Sequence, residues 1–177
     1  MTAPDLRDDV VKLVPLARTL APRFQWILEP DDSTAAFTYI PTHPDDAFLE
    51  RWLGRYEEGW HTGERAGFAV EDGDLLGFAA FVHLDVELKQ GEIGYVIAPA
   101  GRGRGLARRA VGLLTEWGFE GLGLERIELR IDPRNVASQK VAERCGYAHE
   151  GTLRSVAFKE GLRSDVGIWS RLRSDPA

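Results

Sequence analysis

Glu92-Ile93-Gly94-Tyr95-Val96-Ile97-Ala98-Pro99, continuing as Ala100-Gly101-Arg102-Gly103-Arg104-Gly105-Leu106-Ala107-Arg108-Arg109, is the stretch that decides the fold. Its first part reads as a strand, Glu92–Ala98, stopped by Pro99, which has no N–H to give a ladder. Beyond the glycines, Leu106, Ala110, Leu113, Leu114 and Trp117 recur every three or four residues, which predicts a helix from about Gly105 to Phe119. A glycine-rich turn entering a helix straight after a strand aims several backbone N–H groups at one point. The helix dipole adds about half a positive charge there, so the turn suits a phosphate. Arg102, Arg104, Arg108 and Arg109 crowd the same turn. A charge run alone reads as a solvated helix start; the interleaved Gly101, Gly103 and Gly105 shift the reading toward an anion site.

Two common phosphate loops do not fit. The Walker A pattern needs Gly-Lys-Ser/Thr, and no lysine lies between Lys89 and Lys140. The dinucleotide pattern G-x-G-x-x-G fails from Gly101, which leads to Leu106, and from Gly103, which leads to Arg108. What fits is Arg/Gln-x-x-Gly-x-Gly/Ala, as Arg102-Gly103-Arg104-Gly105-Leu106-Ala107.

Working outward, Leu75–Leu84 and Arg65–Glu71 read as two strands joined by the hairpin turn Asp72-Gly73-Asp74. Gln90-Gly91 reads as a further turn. Asp45 or Asp46 caps a helix bearing Phe48, Leu49, Trp52, Leu53 and Tyr56 at helical spacing. Earlier still, Val10–Val14 is a strand closed by Pro15, and a helical stretch lies within Leu16–Leu28. Downstream, Arg126–Asp132 alternates strictly, with Ile127, Leu129 and Ile131 on one face and Glu128 and Arg130 on the other. Asn135 caps a helix that ends near Cys145-Gly146. Ala148–Phe158 and Asp165–Arg171 are final strands joined by Lys159-Glu160-Gly161. The order is α/β: a single mixed, mostly antiparallel sheet flanked by helices, its glycine turn at a strand-to-helix junction.

Composition bounds the function. A chain of 177 residues is expected to be one domain. One cysteine, Cys145, excludes an internal disulfide and fits a reducing compartment. Charges at Asp5, Arg7, Asp8, Asp9 and Lys12 break up any signal peptide, and no apolar run reaches the roughly 20 residues of a bilayer helix. A cytoplasmic protein without membrane contact is therefore expected. The net charge of −6 argues against general affinity for nucleic acid and suits a cationic partner such as an amine.

Further motifs surround the turn: Glu125-Arg126-Ile127-Glu128-Leu129-Arg130, then Asp132-Pro133-Arg134-Asn135-Val136-Ala137-Ser138, closing in Arg144-Cys145-Gly146-Tyr147. Together with Glu92–Tyr95 they resemble the GNAT acetyltransferase superfamily, in its RimJ/RimL-type branch that acetylates ribosomal-protein N-termini. The resemblance is strong over about Glu92–Arg171; before that only element order agrees. It implies acetyl-CoA as co-substrate, no metal, a homodimer, and a splayed sheet that takes the pantetheine arm between Glu92–Ala98 and Arg126–Asp132. Acceptor-binding elements would occupy about 1–65, the cofactor core 66–147 and C-terminal strands 148–172. Backbone groups of Val96, Ile97 and Ala98 would pair with the pantetheine amides. The N–H groups of Gly103, Arg104, Gly105, Leu106, Ala107 and Arg108 would surround the pyrophosphate in a loop that opens at Arg102, a further cofactor-binding residue, and Asn135 and Ser138 would approach the arm and its sulfur. The family's usual tyrosine acid, four residues before the helix-ending glycine, is here Ala142. Ser138, one turn earlier on the same face, takes the candidate role.

Acetyl transfer needs an unprotonated amine, easier for an α-amine (pKa about 8) than for lysine (about 10.4). A protein or peptide N-terminus is thus the expected acceptor, with a polyamine, amino acid or aminoglycoside as the alternative. A non-catalytic CoA-binding module is the rival from another class. Glu92 is the candidate base, acting directly, through a water, or as an orienter. His83 could reach the same pocket, though a lone histidine in an apolar strand is usually structural. Cys145 reads as core. Trp26 and Tyr39, flanking a proline-bounded loop, are candidates for an acceptor wall; Trp52 reads as core.

Overall fold

A computed structural model describes residues 1–24, 36–38, 40–41, 44–159 and 161–176. Among them, eight strands form one sheet: β1 (Leu6–Arg7), β2 (Lys12–Pro15), β3 (Ala66–Asp72), β4 (Asp74–Asp85), β5 (Gln90–Ile97), β6 (Arg126–Ile131), β7 (Ala148–Lys159) and β8 (Leu162–Leu172). The strand order is β1-β2-β3-β4-β5-β6-β8-β7, and every pairing is antiparallel except β5 with β6. The α-helices with described bounds are α1 (Ala21–Phe24), α2 (Asp46–Thr62), α3 (Leu106–Glu120) and α4 (Val136–Arg144).

Strand alternation divides the core in two. On one face Phe68, Phe81, Ile93, Ile127 and Leu129 meet Leu106, Ala110, Val111 and Leu114 of α3 and Ala142 of α4. On the other, Ala69, Phe78, Ala80 and Val96 meet Leu49, Trp52, Leu53 and Tyr56 of α2. The helix ends follow the sequence: the Asp45 carboxylate accepts from Phe48 N–H at 2.7 Å, and the Asn135 side chain accepts from Ser138 N–H at 3.1 Å. Trp52 is core, as expected.

Several boundaries differ from the sequence expectations. Gln90-Gly91 is not a turn but the start of β5; the reversal falls at residues 86–89, with Lys89 at φ 52°. Gly91 is glycine for a packing reason, since a Cβ there would lie 2.9 Å from the Phe81 ring. The first strand is shifted: Pro15 lies inside β2, opposite Phe68, and β1 precedes it. Within Leu16–Leu28 the chain forms a 3-10 turn at Arg18–Leu20 and the short α1; the remainder lies outside the described residues. The last strand is longer than Asp165–Arg171 because residues 162–164 continue the ladder against 157–159.

Candidate active site

The parallel pairing of β5 and β6 covers only Gln90↔Arg126, Gly91↔Ile127 and Glu92↔Glu128. Beyond Glu92 the two strands diverge, and β5 presents an unpaired edge to the gap. Strand alternation decides which groups face it. The Ala98 N–H donates to the Leu76 carbonyl at 2.8 Å, toward β4, and the Val96 carbonyl lies against Gly77 of the same strand. At the paired end, the Lys89 carbonyl accepts from Glu125 N–H at 2.7 Å, on the β6 side. The odd-numbered residues Ile93, Tyr95 and Ile97 therefore turn their backbone groups into the gap. Of the expected trio, Ile97 faces the opening, whereas Val96 and Ala98 direct their groups toward β4. The Ile97 carbonyl accepts from Arg102 Nε at 3.1 Å.

The glycine turn stands at the far end of β5. Gly103 and Gly105 have φ of 74° and 78°, and a Cβ at either would meet nothing within 4 Å, so the space above both is open. Gly105 is the N-cap of α3, and no side chain caps that end. The N–H groups of the first turn, around Leu106, Ala107 and Arg108, are left for an outside acceptor. The arginines divide. Arg104 is ion-paired with Asp72, and Arg109 donates to Asp8 at 2.6 Å and Asp9 at 2.7 Å. Arg108 is exposed, and its carbonyl accepts weakly from the Cys145 thiol at 3.5 Å. An open, uncapped N-terminus with left-handed glycines fits a pyrophosphate.

At the joined end of the gap lies a row of charge. Glu92 sits opposite both His83 and Glu128 in the register, which brings His83 and Glu92 together as the sequence analysis anticipated. His83 is exposed at the end of β4 rather than built into an apolar strand. Burial pushes the Glu92 carboxyl above the usual range; Arg130, 3.4 Å away, pulls it back, Glu128 pushes it further up and His83 lowers it. Glu128 and Glu150 are held by Arg126 at 2.7 and 2.6 Å, and Glu150 also accepts from Ser170 Oγ at 2.7 Å. Arg126 and Ser170 hold the Glu150 carboxyl down at about 2.

On the opposite face, α4 carries Ser138, Ala142 and Cys145 along one side. Asn135 serves as its N-cap, so the capping role is filled whatever else Asn135 does. Tyr95 projects toward this helix. Its hydroxyl is sealed from solvent and closes no hydrogen bond. Burial pushes the phenol up to about 12, and Ser138 acts in the opposite direction. The sequence reading missed Tyr95, although the phase Ile93, Tyr95, Ile97 already put it on the helix side. Cys145 is buried and its thiol is pushed up by that burial, consistent with core. Trp26 and Tyr39 lie outside the described residues. A surface hollow of about 640 Å³ over α2, lined by Arg18, Glu57, Trp60 and His61, includes none of these groups.

Residues 11–148, which carry this splayed sheet and glycine turn, match the family model of the acetyltransferase (GNAT) domain. This chain belongs to the GNAT acetyltransferase family. The putative ribosomal N-acetyltransferase YdaF of Bacillus subtilis is 30% identical over 151 residues, 85% of this chain and 78% of that protein. The spermidine N(1)-acetyltransferase of Escherichia coli K12 is 29% identical over 152 residues, 85% and 80% of the two chains. In fold, a RimL ribosomal L7/L12 α-N-protein acetyltransferase solved with coenzyme A superposes with a TM-score of 0.80 at 17% identity, covering 96% of this chain and 98% of that one. The GNAT chain is thus an enzyme, an acetyl-CoA-dependent N-acetyltransferase. No described helix is long and apolar enough to cross a membrane.

Proposed function

We propose that this GNAT enzyme acetylates a single α-amine, the N-terminus of a protein or peptide, and not a polyamine. The observation that carries the choice is the charge row beside the gap. Arg126 occupies both Glu128 and Glu150, which leaves Glu92, with its long contact to Arg130, as the carboxylate free to serve an ammonium group. A polycation needs several uncompensated carboxylates in line. Among the described residues the row of Glu92, Glu128 and Glu150 with Arg126 and Arg130 leaves one net negative charge, enough for one ammonium group and not for several.

Bound acetyl-CoA supplies the acetyl group as a thioester. The Ile97 backbone and the N–H groups around Gly103–Arg108 hold its pantetheine and pyrophosphate portions. Glu92 receives the proton of the incoming amine, directly or through a water, and its raised pKa makes it a better base than an ordinary carboxylate. Ser138 donates a hydrogen bond to the sulfur as negative charge develops there.

The relatives split between ribosomal and spermidine acetyltransferases, so spermidine is the second acceptor to test. Steady-state thiol release with a panel of N-terminal peptides, spermidine and spermine decides. A peptide is expected to give the higher kcat/KM by at least about tenfold; spermidine equal to or above every peptide would overturn the reading.

A further inference from the structure

We infer that Arg130 is a specificity-determining residue for the acceptor: its guanidinium fills the cation position between Glu92 and Glu128 and so keeps out the second ammonium group of a diamine or polyamine. This rests on the acetyl-transfer reading above and deepens it by naming the residue that sets the acceptor's charge.

The geometry starts from register. Glu92 of β5 and Glu128 of β6 are Cα partners in the last of their parallel pairs, and Ser170 of β8 lies opposite Glu128 on the other side. Ser170 Oγ donates to Glu150 of β7, so three carboxylates cross four neighbouring strands at one level. Strand β6 supplies a guanidinium on each side of Glu128, because alternation keeps residues 126, 128 and 130 on one face. The two arginines are not equivalent. Arg126, with a side chain 26% exposed, donates to Glu128 Oε1 from Nε at 2.9 Å and from Nη2 at 2.7 Å, and to both oxygens of Glu150. The Arg130 side chain is 50% exposed. Its Nε stands 3.4 Å from Glu92 Oε2 and 3.6 Å from Glu128 Oε2, and it closes no hydrogen bond to a described residue.

A guanidinium that is half in solvent and bonded to neither carboxylate is held there by charge. It stands where an arriving cation would, facing the Glu128 oxygen that Arg126 leaves free. The strands that carry the two carboxylates run about 4.8 Å apart. That is close to the separation of two ammonium groups on the three-carbon arm of spermidine. With Arg130 present, three carboxylates and two guanidinium groups leave one net negative charge, which draws one ammonium group to Glu92. Without Arg130 the row keeps two, on neighbouring oxygens, and a diamine engages both. Arg130 and Glu128 both act on the Glu92 carboxyl, behind the larger effect of burial, so this balance is felt at the proposed base.

The test compares wild type, Arg130→Gln and Arg130→Lys on two acceptors: spermidine, and a lysine-free peptide whose α-amine is its one cationic group. Arg130→Gln should raise the ratio of kcat/KM for spermidine to that for the peptide by at least about tenfold, mostly through KM. That is the lower part of what a unit charge a few ångström away exerts at a half-exposed site. Because Arg130 makes no bidentate pair, Arg130→Lys keeps its charge in place and should hold the ratio within about threefold of wild type. Salt at about 0.5 M should erase most of the Arg130→Gln gain. Calorimetric titration of spermidine into the coenzyme A complex makes the same comparison without turnover, and Arg130→Gln should bind it at least about tenfold more tightly. A ratio and a spermidine affinity that Arg130→Gln leaves within about twofold of wild type would overturn the inference, as would an equal shift in Arg130→Lys. A wild-type enzyme that favours spermidine over every peptide would overturn the α-amine reading alone. A further rise of that preference in Arg130→Gln would still uphold the role of Arg130.

Discussion

Gly105→Val tests the phosphate cradle where the structure is most explicit. Gly105 has φ 78°, a left-handed conformation that costs an L residue about 1–2 kcal/mol, with a β-branched side chain at the upper end. A Cβ there meets nothing within 4 Å, so no steric clash adds to that cost in the free protein. A penalty of about 2 kcal/mol lowers the melting temperature of a chain this size by about 4–8 °C, and the variant should still fold. The valine side chain then stands in the open space above the N-terminus of α3, where the pyrophosphate would approach. Calorimetry at 25 °C should show coenzyme A affinity reduced at least about tenfold, or about 1.4 kcal/mol. Gly112→Ala is the control: it lies inside α3 with open space at its Cβ and no positive φ. Helix propensity should make it more stable by up to about 1 kcal/mol, with coenzyme A binding unchanged. A folded Gly105→Val protein that melts lower yet binds coenzyme A as tightly as wild type would refute the cradle.

Three further variants test the charge placement. Glu92→Gln should lower kcat/KM by about a hundredfold or more at neutral pH with coenzyme A affinity unchanged, the loss shrinking as pH rises past the acceptor's own pKa; a loss that is uniform with pH would make Glu92 an orienter. Because the folded protein holds the Glu92 pKa above its unfolded value, its ionisation opposes folding as pH rises through that window. Glu92→Gln should therefore melt higher than wild type at pH 7 and converge with it near pH 4, as thermal melts at both pH values will show. Glu150 has the opposite sign: its carboxyl is held at about 2, so its contribution is fully present above the unfolded value and lost as pH falls toward 2. Glu150→Gln should lower the melting temperature at pH 7 but not near pH 2. Asp72→Asn releases Arg104 beside the cradle and should raise coenzyme A affinity a few-fold at low ionic strength, a gain that calorimetry in about 0.5 M salt should abolish.

The features legible in the sequence were those coded within a few residues. Asp45 and Asn135 cap helices because a short side chain reaches the N–H three residues on, and Asp72-Gly73-Asp74 turns because Gly73 takes φ 75°. The misreading of Gln90-Gly91 has the same root. Glycine reads as a turn signal, but the turn uses Lys89 in a left-handed conformation, and Gly91 answers to the Phe81 ring packed from β4. Nothing adjacent to Gly91 in the chain carries that information.

The sequence by itself determined the local grammar of this enzyme: a strand, a left-handed glycine turn and an uncapped helix start, in the order that makes an anion site, with Ser138 one turn before Ala142. Tertiary structure decided what faces that site. The β5–β6 pairing ends after Glu92, so an edge of backbone from Ile93 to Ile97 is open, and its odd-numbered residues are the ones that look into the gap. It also set Glu92 between His83 and Glu128, gave Glu128 and Glu150 to Arg126, and buried the Tyr95 hydroxyl on the face packed against the main core. Apart from Arg126–Glu128, which share one strand, those placements join strands distant in sequence and are fixed by register and by which face each residue occupies. A one-residue slip would reverse every one of them.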